Sequence, residues 1–157
     1  MPNPKIRDDR RGHGSFGDKR TNPDGSIREH KGVDLEALPG TPIKSPVDGT
    51  VRRIGDPYGP ENRLHGQYKS ITIRTEDGRE VRMFYVAPTD AEGSQIINKG
   101  DKVSAGSVIG TLQDRAKASS GMKNHVHLEI RDKQGKAVDP APWLNNWGVK
   151  NGSRRKD

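Results

Sequence analysis

Two short segments gather the residue types that can hold and use a metal ion. In His125-Val126-His127-Leu128-Glu129-Ile130 the alternation of polar and apolar residues is that of a β-strand. Residues two apart on a strand point to the same face, with Cα atoms about 6–7 Å apart. His125, His127 and Glu129 therefore share one face, and Val126, Leu128 and Ile130 turn toward a core. The second segment is His30-Lys31-Gly32-Val33-Asp34. In a straight strand His30 and Asp34 would lie about 13 Å apart, too far to share an ion. A turn at Gly32 would bring them together. A histidine and a carboxylate, completed by a histidine from another strand, make the three-ligand set of catalytic zinc sites, with one position left for water. Taken alone, each segment also fits surface histidines with no such role.

Positioning these groups falls to short strands. Thr41–Lys44 and Thr50–Arg53 flank the turn signal Asp48-Gly49. Ser70–Thr75 and Glu80–Tyr85 alternate in hydrophobicity around Glu76-Asp77-Gly78-Arg79 and are expected to form a hairpin. Lys99–Val103 and Gly106–Thr111 predict two short strands around a glycine-rich bend, and Asn124–Arg131 is the clearest strand. Asp114–Lys123 has weak helical character. With 19 Gly and 11 Pro among 157 residues, many short strands and tight turns are favoured over a helical bundle. The expected fold is mainly β: one small antiparallel β-sheet or β-sandwich domain over residues 13–147. Residues 1–12 read as a disordered or loosely attached arm, and 148–157 as a basic tail.

Composition narrows the partners. There is no Cys, so thiolate metal sites and disulfides are excluded and any metal falls to His, Asp or Glu. No apolar run of about 18 residues is present, so no helical membrane span is expected. The first twelve residues lack the apolar stretch of a secretory signal. Either an export signal has been removed, or delivery uses another route, or the protein stays inside the cell. A net charge of +7 favours an anionic partner such as cell wall, nucleic acid or lipid. Scattered basic residues and few aromatics argue against dedicated nucleic-acid binding.

The order of several segments resembles a known family. His30–Ala37, Pro39–Ile43 and Val47–Val51 look like the opening of a lysostaphin/LytM-type zinc endopeptidase, and Gly14–Gly17 resembles the lead-in to that domain. Lys99–Gly106 with Ile109-Gly110, then His125–Glu129, then Val138-Asp139-Pro140, are similar to later parts of the family in the same order. The resemblance covers roughly residues 12–144. It implies a lysostaphin-type β fold with one zinc ion held by His30, Asp34 and His127, and His125 as a catalytic non-ligand. It further implies hydrolysis of stem peptides or cross-bridges of bacterial peptidoglycan, in the periplasm or the extracellular wall. A virion-associated or phage-encoded lysin, or a toxin delivered by a secretion machine, would fit the missing signal, with an immunity or delivery protein as a further partner.

One position departs from the pattern. The family carries a second catalytic histidine in a Tyr-Ala-His-Leu-like segment, matched here by Phe84-Tyr85-Val86-Ala87-Pro88, with Ala87 where that histidine would stand. Three explanations are open. Catalysis is lost and the chain is a zinc- and wall-binding regulator or scaffold; His65 reaches the cleft from its loop; or zinc and His125 suffice, with Tyr85 contacting the transition state.

Overall fold

The computed structural model describes residues 5–147. The chain opens with two small hairpins, β1 (Asp8–Asp9) with β2 (Gly12–His13), and β3 (Lys19–Thr21) with β4 (Ile27–Glu29). The body follows as β5 (Val33–Glu36), β6 (Pro42–Lys44), β7 (Gly49–Gly55), β8 (Ser70–Arg74) and β9 (Glu80–Phe84). Next come β10 (Val86–Ala87), β11 (Lys102–Val103), β12 (Val108–Leu112), β13 (His125–Arg131) and β14 (Ala137–Val138). Two short 3-10 turns, Ala116–Ala118 and Ala141–Trp147, are the helical segments among the described residues. The mainly β antiparallel fold is therefore as expected, and the weak helical character of 114–123 amounts to one 3-10 turn.

The large sheet runs β11-β7-β8-β9-β13 with antiparallel pairing throughout, and β5 and β14 share the far edge of β13. A three-stranded sheet, β10-β12-β6, provides the second layer. One hydrophobic cluster joins them: Ile71, Ile73, Val81, Met83, Val126, Leu128 and Ile130 from the large sheet meet Ile43, Val86 and Ile109 from the small one. β9 shows why the pattern was readable, since Val81 and Met83 are buried while the alternate residues are half-exposed. The predicted hairpin forms as β8 and β9, closed by Asp77-Gly78. The turn at Asp48-Gly49 instead hands the chain from one sheet to the other, because β6 pairs with β12 while β7 pairs with β8 and β11.

The expectation of a loose arm over residues 1–12 is corrected for residues 5–12. Ile6 bridges Leu35, the Arg7 amide donates to the Asp34 carbonyl (2.8 Å), and the Glu36 amide donates to the Lys5 carbonyl (2.6 Å). Arg7 is 3% exposed, its charge met by Asp9 and Asp34. Backbone pairing and a buried ion pair leave no hydrophobic period in the sequence, so pattern reading misses them. The basic tail at 148–157 lies outside the described residues.

The chain passes from β9 in the large sheet to β10 in the small one through Tyr85, whose φ of 72° is the one left-handed non-glycine conformation among the described residues. Such a backbone costs on the order of 1–3 kcal/mol and persists where its surroundings fix it. Here the Tyr85 amide donates to the Lys69 carbonyl (2.8 Å), and the Gln113 amide donates to the Tyr85 carbonyl (2.8 Å).

Gly32 sits at the bend before β5 for a different reason. A Cβ there would lie 2.2 Å from the Leu128 carbonyl oxygen, a contact the backbone of β13 cannot yield to cheaply. Gly32→Ala should therefore push β5 off β13 and cost about 1–3 kcal/mol. Urea unfolding would show this as a lowered midpoint, and an unchanged midpoint would refute the packing account.

A candidate metal centre

Strand register builds the site. In the β5–β13 ladder His127 lies directly opposite Asp34, and His125 opposite Glu36. His30 follows β4, and the bend at Gly32 folds it back over Asp34, as the spacing of the motif requires. The expected face of β13 is present, but it is not open to solvent: His125, His127 and Glu129 are 3%, 8% and 6% exposed.

Three donor atoms converge. His30 Nε2 lies 3.1 Å from His127 Nδ1 and 3.2 Å from Asp34 Oδ1, and His127 Nδ1 lies 2.7 Å from Asp34 Oδ1. Tetrahedral zinc with bonds of 2.0–2.1 Å would set its ligands about 3.3–3.4 Å apart, so a small expansion of this triangle accommodates the ion. Among the described residues this trio is the one cluster suited to a metal.

The outer contacts fix which nitrogen faces the centre. His30 Nδ1 is 3.0 Å from the Ser15 carbonyl, which can only accept, so the Nδ1–H donates and Nε2 keeps its lone pair. His127 Nε2 is 2.9 Å from Glu129 Oε2, so that N–H donates to a carboxylate and Nδ1 is left for the metal. Two lone pairs and a carboxylate oxygen facing one point call for positive charge between them. Without an ion, protons would supply that charge. Burial alone would push His127 down, yet the bonds to Asp34 and Glu129 carry it up to about 9. Burial likewise opposes ionisation of Asp34, but hydrogen bonds from His127 and His30 hold it well below the usual carboxylate range. Glu129 is held down to about 2 by His127 and Arg131 against its own burial. The donor set, its tautomers and its charge thus fit zinc.

Arg7 was invisible to motif reading but belongs to this centre. Its Nε donates to Asp34 Oδ2 (3.1 Å), leaving Oδ1 turned to the histidines. Arg20 adds a weaker approach to Oδ2 at 3.7 Å while pairing closely with Asp18. On the other side of His127 the Phe84 ring packs at 4.8 Å between centroids.

His125 stands beside the trio without joining it. Its Nδ1–H donates to the Lys123 carbonyl (2.8 Å), and its Nε2 is 3.8 Å from Asp34 Oδ2. Burial pushes its pKa down to about 4, only partly offset by the charge of Asp34, so the imidazole is neutral at pH 7. The Tyr85 ring stands edge-on to it at 5.3 Å, and the Tyr85 hydroxyl lies 3.1 Å from that of Tyr58. Burial raises the Tyr85 phenol far above its ordinary value, so it remains an O–H donor. Arg115 completes the wall, its Nε donating to Tyr58 Oη (2.7 Å).

Of the auxiliary candidates, Tyr85 lines the cleft and His65 does not. His65 Nδ1 is bound to the Tyr58 carbonyl (2.8 Å) and sits 3.3 Å from Asp56, on a half-exposed loop. Ala87 lies on β10 opposite Thr111 and is not among the residues that line the cleft. Sequence reasoning did not find Arg7, Tyr58 and Arg115, whose signals are isolated residues in segments without periodicity.

A donor set that fits zinc beside a neutral imidazole is an arrangement suited to metal-assisted hydrolysis. Residues 28–140 match the model of peptidase family M23, and the chain belongs to that family. It is 30% identical over 133 residues to leukocyte cell-derived chemotaxin-2 of Mus musculus, covering 85% of this chain and 74% of that protein. It is 28% identical over 124 residues to the peptidoglycan DD-endopeptidase ShyC of Vibrio cholerae, covering 78% of this chain and 25% of ShyC. It also spans only about a quarter of the length of the mycobacterial and Haemophilus influenzae relatives it matches. Among solved structures, LytU superimposes with a TM-score of 0.65 at 24% identity, over 98% of this chain and 92% of that one. The lysostaphin-type fold expected from sequence is thereby shown.

Zinc should bind one-to-one and raise the melting temperature, since a ligand of the folded state stabilises it by mass action. His127→Ala should abolish tight binding, and Glu129→Gln should weaken it about 10–100-fold by releasing the His127 tautomer. Competition with a chelator measures both; equal affinity in wild type and His127→Ala would remove His127 from the site.

Proposed function

We propose that this chain is a zinc-dependent endopeptidase that hydrolyses peptide bonds of bacterial peptidoglycan, acting in the periplasm or the extracellular wall. The observation that carries the reading is His125: a buried, neutral imidazole whose one free nitrogen lies 3.8 Å from Oδ2 of Asp34, a member of the donor set. A structural zinc site has no use for such a base. Membership of peptidase family M23 and the likeness to ShyC support the choice of substrate.

His30, Asp34 and His127 would hold the ion, and the ion when bound supplies Lewis acidity to water and to the scissile carbonyl. The remaining steps belong to the chain. The Lys123 carbonyl locks the His125 tautomer, so Nε2 can accept a proton from the attacking water and return it to the leaving amine. Arg115 can only donate to Tyr58 Oη, which frees the Tyr58 proton for Tyr85 and the Tyr85 proton for the cleft. Tyr85 then serves as the donor to the developing oxyanion, in place of the histidine missing from position 87. A preorganised donor of this kind contributes about 10²–10³ in rate.

Purified zinc-loaded protein should release new amino groups from peptidoglycan. His125→Ala should lower the rate by about 10²–10⁴, and Tyr85→Phe by about 10²–10³, with zinc affinity retained in both. If wild type binds zinc tightly and releases no amino groups, the hydrolase reading fails.

A further inference from the structure

The cleft is cationic in an uneven way. Five arginines line it, Arg7, Arg11, Arg20, Arg28 and Arg115, against a single carboxylate, Asp34. Arg7 and Arg20 are neutralised by Asp9, Asp18 and Asp34. Among the described residues the other three side chains pair with no carboxylate: Arg11 Nε donates to the Ser120 carbonyl (2.8 Å) and Arg28 Nη1 to Asn22 Oδ1 (2.9 Å).

Arg115 is the deepest of the three, 7% exposed. Its Nε donates to Tyr58 Oη and its Nη1 to Ser119 Oγ (2.7 Å), and its guanidinium carbon lies 5.6–5.9 Å from the ring centres of Tyr58, Tyr68 and Tyr85. Among the described residues no carboxylate comes within salt-bridge distance of it. A guanidinium stays charged at any ordinary pH, and burying it without an opposite charge is costly. Tyrosine faces recover part of that cost through cation–π attraction. What they do not supply is an anion, and the fork geometry of arginine matches a carboxylate.

We infer that Arg115 is a specificity residue of the cleft, binding a carboxylate of the peptide substrate close to the scissile bond. Arg11 and Arg28, nearer the mouth, favour the approach of the same negatively charged chain. The Tyr85 ring lies 5.3 Å from the His125 ring and 5.6 Å from the Arg115 guanidinium. The carboxylate therefore falls within about three residues of the bond that faces His125, at roughly 3.5 Å per extended residue. This assignment rests on the peptidase reading and sharpens it: the preferred substrate is an acidic peptide, and a neutral glycine bridge is disfavoured.

The test separates binding from turnover. Zinc-loaded His125→Ala protein is titrated calorimetrically with a synthetic Ala-Glu-Lys-Ala-Ala stem peptide bearing free carboxylates, and with the same peptide amidated. The free acid should bind about 10–100-fold more tightly, the range of one charge-assisted hydrogen-bonded pair. Adding Arg115→Gln should bring the acid down to the affinity of the amide, and Arg115→Lys, charged but without the fork, should recover only part of the preference. Equal affinity for both peptides in the parent protein overturns the inference, with no need for the Arg115 variants to fold. So does a preference that survives Arg115→Gln, or tighter Arg115-dependent binding of inorganic phosphate than of the acidic peptide. Absence of hydrolysis by wild type alongside a retained preference would sink the peptidase reading and leave the carboxylate site standing.

Discussion

A negative charge is buried where two strands face each other, and much of the molecule is arranged around it. Asp34 is 3% exposed, yet it touches His30 and His127 with one oxygen and Arg7 with the other. Removing a carboxylate from water is tolerable only when it is fully paired and hydrogen-bonded. Each partner comes from a different part of the chain, so pairing this one group ties the N-terminal segment, β5 and β13 together. The ladder register that sets His127 opposite Asp34 is in turn held by the apolar alternate residues Val126, Leu128 and Ile130. A slip by one residue would exchange the two faces and destroy core and centre together.

The wall of the cleft follows another logic. Tyr58, Tyr68, Tyr85 and Arg115 form a contiguous aromatic–cationic cluster whose hydroxyls are linked to one another or to backbone. It is rigid because Tyr85 is held at both its amide and its carbonyl in a backbone conformation it would not choose. On one side of His125, then, lies a centre that attracts positive charge; on the other lies a guanidinium awaiting a negative one. A peptide lying across both would be oriented by its own charge before any bond is broken.

Sequence carried the fold and the convergence of His30, Asp34 and His127 because both leave periodic or spaced signals. The alternation in 125–131 placed a strand and sorted its faces, and the four-residue spacing from His30 to Asp34 demanded the bend found at Gly32. Arg7 left no such trace. It lies in a stretch of Pro, Arg and Asp that reads as loose, and its role depends on a contact 27 residues away in sequence. Tyr85 was visible only as an auxiliary candidate, since its place on the cleft wall depends on a left-handed φ that no residue pattern announces. Glu129 was on the right face, but its bond to His127 Nε2 depends on side-chain rotation that a strand pattern does not specify.

The stretch that matches the family begins at residue 28, whereas the contacts of the centre begin earlier, with Arg7 on Asp34 and the Ser15 carbonyl on His30. The stretch matched by the family model is therefore shorter than the set of residues that builds the centre. Two proteins could share the His30, Asp34 and His127 donor set and still differ in how basic the aspartate is, because the group that tempers it lies before the matched stretch. A fragment cut at the start of the family match would lose Arg7 and leave the buried Asp34 carboxylate short of one of its partners.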